Sequence, residues 1–506
     1  MSLTSQLPAL QIVVPMLTAP MVMLLRGASL AWAAATAASV MAFFISIALT
    51  LGVRDAGVLT YAMGGWPAPF GIELRIDAFN VLLLLITTGA SSVALLSGRF
   101  SLARDLPEDR QPLFYAAWMV ALTGLSGIAV TGDAFNVFVF MEISSLAGYI
   151  LVAAGPDRRA LTATIKYLVM GTIGATFYLI GVGLVYMMTG TLNFADMEVR
   201  LAEVTDRTPI LLAAGFITVG LALKAAVFPL HFWLPNAYHH APHMVTAFMA
   251  ACTTKVALYV LLRFDFVVFQ GNLAGHMSQY AGFLAPLAIL GILVGSAVAV
   301  VEGHLKKLLA YSSVAQIGYI LLGASFGDLA GLSAAFTHMF NHALAKGGLF
   351  LVLAAFALRT RGLGLRDVAG LAHRMPLTCA ALLILGASLV GIPGTAGFIS
   401  KWLLLSAAFQ QGPLGIVAVV VVVLSSLAAV VYVWKIVEQL YFGEPVESPD
   451  QATINSQAAS FKSEAPAMLL LGIWVVALAN IYFGLFPGFT VSLSESAAAG
   501  LMSHLP

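Results

Sequence analysis

Residues 223–244 read LKAAVFPLHFWLPNAYHHAPHM. The stretch joins two long apolar runs in a chain that is 60% hydrophobic and only 9% charged. It holds Lys224, the histidines 231, 239, 240 and 243, and the prolines 229, 235 and 242. Proline removes a backbone donor and clashes with the preceding turn. A helix arriving from residue 209 therefore has to break near Pro229, and the carbonyls freed near residues 225–226 need a donor such as an ammonium or water. A lysine beside a broken helix is a device that places an ionisable group near the middle of a membrane.

The rest of the chain supports a membrane setting. Its 506 residues have a mean hydropathy of +0.96 and a formal charge of +1. That much apolar surface cannot be hidden from water, so the chain reads as a polytopic helical membrane protein. Near-neutral charge argues against nucleic acid as a partner. Cys252 and Cys379 lie far apart in apolar runs and read as small buried hydrophobes. The first run begins near Leu7 without a basic leader and reads as a span, not a cleavable signal.

A span takes about 20 mostly apolar residues. Fourteen runs qualify: 7–25, 29–52, 77–97, 113–131, 134–154, 161–188 and 209–229 in the first half. The second half gives 243–264, 280–301, 305–325, 330–357, 376–409, 413–441 and 466–489. The runs are continuous, unlike the alternating segments of a β-barrel. Basic residues set the orientation. After odd-numbered spans stand Arg26, Arg99, Arg104, Arg110, Arg158, Arg159, Lys306, Lys307, Arg359, Arg361, Arg366, Arg374 and Lys462. After even-numbered spans stand only Arg54, Arg75, Arg200, Arg207 and Arg263. Odd loops are thus expected in the cytoplasm and both termini outside.

The six remaining basic residues are Lys166, Lys224, Lys255, Lys346, Lys401 and Lys435, all inside predicted spans. A charge in mid-bilayer costs at least ~2.5–3.5 kcal/mol, so four central lysines facing lipid would cost on the order of 10 kcal/mol. They are expected to face protein or water, as in an ion or proton pathway. Lys166 and Lys435 lie nearer helix ends, where snorkelling accounts for them.

Glu142, in FNVFVFMEISSLAGY, is the one acidic residue clearly inside a span. A structural ion pair with a lysine is the plainer alternative to a pathway role, and the two are compatible. Lys255, in CTTKVALYVLL, is a full turn from either end of its run, with Thr253 and Thr254 beside it as groups that can hold water. His338, His342 and Lys346 are spaced i, i+4, i+8 and share one helix face. A histidine pair at that spacing also suits metal or haem, but no third ligand matches and the stripe ends in a lysine, which favours a proton relay. Lys401 follows GIPGTAGFIS, a second broken helix with a lysine. Paired interrupted helices in the two halves point to inverted repeats. His231 and His239 are candidates to extend the relay. Of Lys306 and Lys307, one is expected to anchor at the membrane surface, and Lys307 is kept as a candidate for the relay. No metal site and no cofactor is expected: dinucleotide, Cys-rich and c-type haem motifs are absent from the sequence.

Four blocks carry a family resemblance: ALKAAVFPLHFWLPNAYHHAP, LKKLLAYSSVAQIGY, HMFNHALAKGGLFLV and GIPGTAGFISKWLLL. They resemble, in the same order, the hallmark blocks of the antiporter-like subunits. That family comprises the large proton-channel subunits of respiratory complex I and of Mrp-type multisubunit sodium/proton antiporters. The resemblance covers roughly residues 60–440. It implies an all-α fold of fourteen helices, with two inverted five-helix repeats broken at spans 7 and 12. The implied organisation is 1–112 for spans 1–3, 113–269 for the first half-channel, 270–441 for the second, and 442–506 for a loop and the last span. The resemblance maps proton translocation onto Glu142, Lys224, Lys255 and Lys401, with His338, His342 and Lys346 near the centre. The chain ends about seventeen residues after the last span and has Lys401 at the twelfth-span position, so it is most similar to the D-type members among the Mrp antiporter subunits. It departs from the pattern at Asn236, where many relatives are acidic, and at Pro393-Gly394, where a double proline is common.

The expected function is therefore a proton-translocating subunit of a monovalent cation (Na+)/proton antiporter in a bacterial inner membrane. Its expected partners are the other subunits, H+, Na+ and the bilayer. The alternative is the same fold in complex I or a related redox complex. A self-contained redox enzyme lacks motifs, and a scaffold glued by charges does not explain so many lysines against one acid.

Overall fold

The structure is a computed structural model that describes residues 3–269, 274–444 and 464–503. Lys462, one of the orienting residues, lies outside the described residues, as does the start of the 270–441 unit.

Every predicted run is a helix or a broken pair of helices. In order come α1 (Leu7–Leu24), α2 (Ala28–Ala56), α3 (Ala78–Asp105), α4 (Gln111–Val130), α5 (Ala134–Ala153) and α6 (Arg159–Thr189). A short helix, α7 (Phe194–Glu203), precedes the seventh span, which is split into α8 (Thr208–Ala225) and α9 (Trp233–His240). The eighth is α10 (His243–Arg263), prolonged by a π-helical turn over Phe264–Phe269. Then follow α11 (Ala274–Val301), α12 (Leu305–Ser325) and α13 (Leu329–Ala357). The twelfth span is split into α14 (Pro376–Val390) and α15 (Ala396–Ala408), and α16 (Gly412–Phe442), α17 (Ala467–Leu485) and α18 (Gly488–Met502) complete the described chain.

Among the described residues, thirteen helices are long and apolar enough to cross a membrane. The fourteenth crossing is α14 and α15 together, each too short alone. The segment Arg366–His373 meets α14 at 109°. It carries Arg366, Asp367 and His373, so it is a polar approach to the span and not part of it. The two sets of five, α4–α10 and α11–α16, each break at their fourth crossing. Because five is odd, the second set enters from the opposite side, which inverts the repeat.

Hydropathy and burial run opposite to a soluble protein. The most apolar span, α16, has a mean hydropathy of 2.9 and is only 33% buried, whereas α12 and α13, at 1.4, are 94% and 89% buried. Lipid accepts only apolar faces, so polar groups collect where helices surround helices. Close approach fixes the two key pairs. A Cβ on Gly220 would sit 2.5 Å from Gly174 O, locking α8 onto α6. A Cβ on Gly318 would sit 2.8 Å from Ala288 O, locking α12 onto α11.

Three features escape the sequence pattern. Leu59–Ala62 and Glu73–Ile76 form an antiparallel hairpin pairing Leu59 with Ile76. The other two are α7 and α18, whose mixed polar sequences never reach the span threshold.

Candidate functional site

In the first broken span, α8 ends at Ala225 and Ala226 turns left-handed, with φ +56°. The freed carbonyl of Leu223 accepts the Trp233 indole N–H at 2.9 Å. The sequence pattern asks for an ammonium or water at the carbonyls near residues 225–226. At Leu223 the side-chain donor is tryptophan, because α9 swings its first residue back under α8. Lys224 is thereby released to turn sideways. Its Nζ lies 3.1 Å from Glu142 Oε1 on α5 and donates to Ser145 Oγ at 2.7 Å. The two partners differ in cover: the Lys224 side chain is 8% exposed and that of Glu142 is 26% exposed, on the flank of the bundle.

A cavity of about 40 Å³ opens beside Lys224, lined also by Ser145, Tyr167, Met249 and Thr253. One water needs about 10–15 Å³, so the cavity has room for water, with hydroxyls to hold it. Thr253 leads on to Lys255, which is fully buried and donates from Nζ to the Ala250 carbonyl.

One turn before Lys255, Ala251 faces Gly347 of α13, where an added Cβ would meet the Ala251 Cβ at 3.5 Å. Lys346 and His342 therefore lie across the interface from Lys255, within reach of its charge. The i, i+4, i+8 stripe falls on one buried face as its spacing requires. The His338 and His342 rings are parallel within 2°, with centroids 6.1 Å apart. His342 is 2% exposed and neither ring nitrogen has a hydrogen-bond partner among the described residues. His338 Nδ1 meets Ser400 Oγ at 2.9 Å and Nε2 meets Gln316 Oε1 at 2.9 Å. Lys346 donates to Leu309 O at 2.8 Å and Ser312 Oγ at 2.6 Å.

Ser400 places His338 one residue from Lys401, on α15. Here a lysine does fill a helix break, as the sequence predicts. Lys401 Nζ donates to Leu389 O at 2.8 Å and Val390 O at 3.0 Å, the open end of α14, and to Ser426 Oγ at 3.1 Å. It also lies over the Tyr319 ring at 5.3 Å.

The outlying candidates sit apart from this line. His231 stacks between Phe228 and Phe232, with centroids 5.4 and 4.9 Å away. His239 packs edge-on against His304 at 4.2 Å and against His240 at 4.4 Å. His304 lies in the loop before α12, where burial and then the charges of Lys306 and Lys307 push its pKa down to about 4. It is neutral at pH 7. Of the lysine pair, Lys306 is the buried member, 2.7 Å from Ala241 O, while Lys307 is half-buried. Lys435 donates to Val300 O and Glu302 O at 3.1 Å each, tying down the end of α11, and Lys166 is exposed.

One buried charge pair has no counterpart among the predicted site residues. Arg263 grips Asp77 through two bonds of 2.7 and 3.0 Å and also donates to Tyr259 Oη at 3.2 Å. Asp77 caps α3 in a reciprocal box with Asn80. The signal is present in the sequence: Lys255, Tyr259 and Arg263 repeat the i, i+4, i+8 spacing of the histidine stripe. Glu142 is also not alone, because Asp265 in the π turn is 3% exposed.

A family model described as NADH:quinone oxidoreductase/Mrp antiporter, transmembrane, matches residues 131–428, which span both broken helices and every residue from Glu142 to Lys401. The chain belongs to this family. It is 40% identical over 498 residues to the N subunit of the NADH-quinone oxidoreductase of Desulforudis audaxviator, covering 96% of each chain. It is 30% identical over 496 residues to the D subunit of the Na(+)/H(+) antiporter of Bacillus subtilis, covering 98% of this chain and 97% of that one. Among solved structures it is similar to a chain of the Mrp complex from Dietzia sp. DQ12-45-1b, with a TM-score of 0.88, 27% identity and coverage of 99% and 98%. The family resemblance drawn from the four blocks and the fourteen-span reading both stand.

Proposed function

We propose that this chain is a proton-translocating subunit of an Mrp-type multisubunit Na+/H+ antiporter. The carrying observation is the buried line of titratable groups from Glu142–Lys224 through Lys255, His342 with Lys346, and His338 to Lys401. Full-length similarity to an antiporter D subunit and to an Mrp complex chain supports that assembly. Protons pass by changes of protonation along the line, with water bridging the gaps. Glu142 holds Lys224 charged, and withdrawing that carboxylate makes the amine give up its proton more readily. Residues 113–269 and 270–441 act as the two half-channels. A part-exposed carboxylate on the bundle flank is costly against lipid, so a neighbouring subunit covers Glu142. Ammonium groups repel cations, so sodium travels through a partner. The basic-residue bias puts both termini outside the cytoplasm.

A second reading, the equivalent pump subunit of a complex I-type assembly, is favoured by the 40% identical relative. Everted vesicles carrying the whole complex separate the two. Sodium-dependent collapse of a proton gradient supports the antiporter. NADH-driven acidification without a sodium response supports the second reading and overturns the first.

A further inference from the structure

Away from the lysine line, the flank between α2, α3, α13 and α17 opens into a cleft of about 500 Å³. Its floor is made of small side chains, among them Gly89, Ala94, Ala251, Ala343 and Gly347. Its rim carries exposed apolar ones: Phe44 at 64%, Leu96 at 40% and Phe489 at 47%. The one hydroxyl in its lining, on Ser92, is already bonded to the Thr88 carbonyl. Nothing in this lining recognises a polar ligand.

Shape decides the occupant. Along α3 the lining runs from Leu85 to Leu96, about 16 Å at the helical rise of ~1.5 Å per residue. That is about half of a ~30 Å hydrocarbon core, the depth of one leaflet. Spread over that length, and with a water radius added at each wall, the volume leaves a channel roughly 9 Å across, narrower than an α-helix with its side chains at about 10–12 Å. A single hydrocarbon chain fits. One end is also marked by charge. One turn beyond Leu96 on α3 stands Arg99, over the Trp32 ring at 4.8 Å and donating to Ser29 Oγ at 2.8 Å. A guanidinium has five donors in a fork that suits phosphate, and an arginine–tryptophan pair is at home at a membrane interface.

We infer that this cleft binds one acyl chain of a bilayer phospholipid, with the lipid phosphate at Arg99. The floor residues adjoin the central line: Ala343 and Gly347 neighbour His342 and Lys346, and Ala251 precedes Lys255 by one turn. The bound chain fills the flank next to the deepest ionisable groups. Lipid binding at this flank is independent of which ion the complex carries.

The test places p-benzoylphenylalanine at Leu344, in the cleft lining, and at Leu427, a lipid-facing position of α16 that is 58% exposed. The intact complex is purified from native membranes, exchanged repeatedly into fresh detergent, irradiated and analysed by mass spectrometry. The expected result is an adduct of phospholipid mass that survives exchange at Leu344 but is lost at Leu427. Gly347→Leu, which fills the floor, abolishes the retained adduct, and Arg99→Gln, which leaves the packing intact, lowers its yield. A cross-link to a neighbouring subunit's peptide, an adduct of any other mass, or equal wash-out at both positions overturns the proposal.

Discussion

The two broken spans solve one problem in opposite ways. In both, a helix of the bundle stops at a break whose end carbonyls take a side-chain donor. At the first break Trp233 caps the open end, so Lys224 is free to pair with Glu142. At the second, Lys401 is itself the cap, held by Leu389 O and Val390 O. The turn residues differ in step. Gly391 takes a left-handed φ of +90° without strain, while the first break uses Ala226 at +56°. A lysine at a broken helix thus has two uses. One amine is held by a part-exposed side-chain carboxylate, and the other by the backbone of a helix end. In the proposed cycle the first is the controlled end of the line and the second the fixed end.

The largest expected effects erase this contrast. Glu142→Ala removes the charge partner of Lys224 and leaves the amine with Ser145 Oγ alone. Sodium-dependent proton flux in everted vesicles is expected to vanish while blue-native gels still show the assembled complex; normal flux would remove Glu142 from the mechanism. Lys401→Ala is expected to be as severe. Lys401→Arg separates its two uses: arginine still caps Leu389 and Val390 but does not release its proton, so assembly survives and flux is lost. Wild-type flux in that variant would reduce Lys401 to a structural cap.

Next in size is the tryptophan cap. Trp233→Phe leaves the Leu223 carbonyl with only the long bond from the Ala226 N–H at 3.3 Å and is expected to lower stability by about 0.5–1.5 kcal/mol, read as a fall in the complex's melting midpoint. An unchanged midpoint would mean that the capping contrast carries no energy. Ala226→Gly works in the other direction, relieving a left-handed alanine and raising stability by roughly 1 kcal/mol. The smallest effect belongs to Lys435→Ala, which removes two bonds at the end of α11 and is expected to cost at most about 1 kcal/mol, with flux near wild type. A dead transporter there would place Lys435 on the line.

How much of this is legible in the sequence follows from the range of each signal. The fourteen crossings, both breaks and the one-face stripe of His338, His342 and Lys346 depend on neighbours within about a turn, and sequence displays those. Partner choice does not. Glu142 and Lys224 are 82 residues apart, and nothing local says that Trp233 and not Lys224 takes the Leu223 carbonyl. Local pattern is equally silent on which of Lys306 and Lys307 turns inward, since adjacent helical residues differ only by the face that α9 and α10 cover. Arg263 reads as an ordinary helix-end charge because its partner Asp77 lies far back in the chain, at the start of α3. Helix α18 is hidden because Ser492, Ser494, Glu495 and Ser496 dilute its apolar face.

The decisive measurement is a high-resolution density map of the assembled complex, inspected for ordered water between Lys224 and Lys255 and around His342. Water is expected in the cavity beside Thr253 and bonded to the ring nitrogens of His342, giving an unbroken hydrogen-bonded thread to Lys401. Packed aliphatic side chains filling both places, with the amines sealed from one another, would refute the proton line.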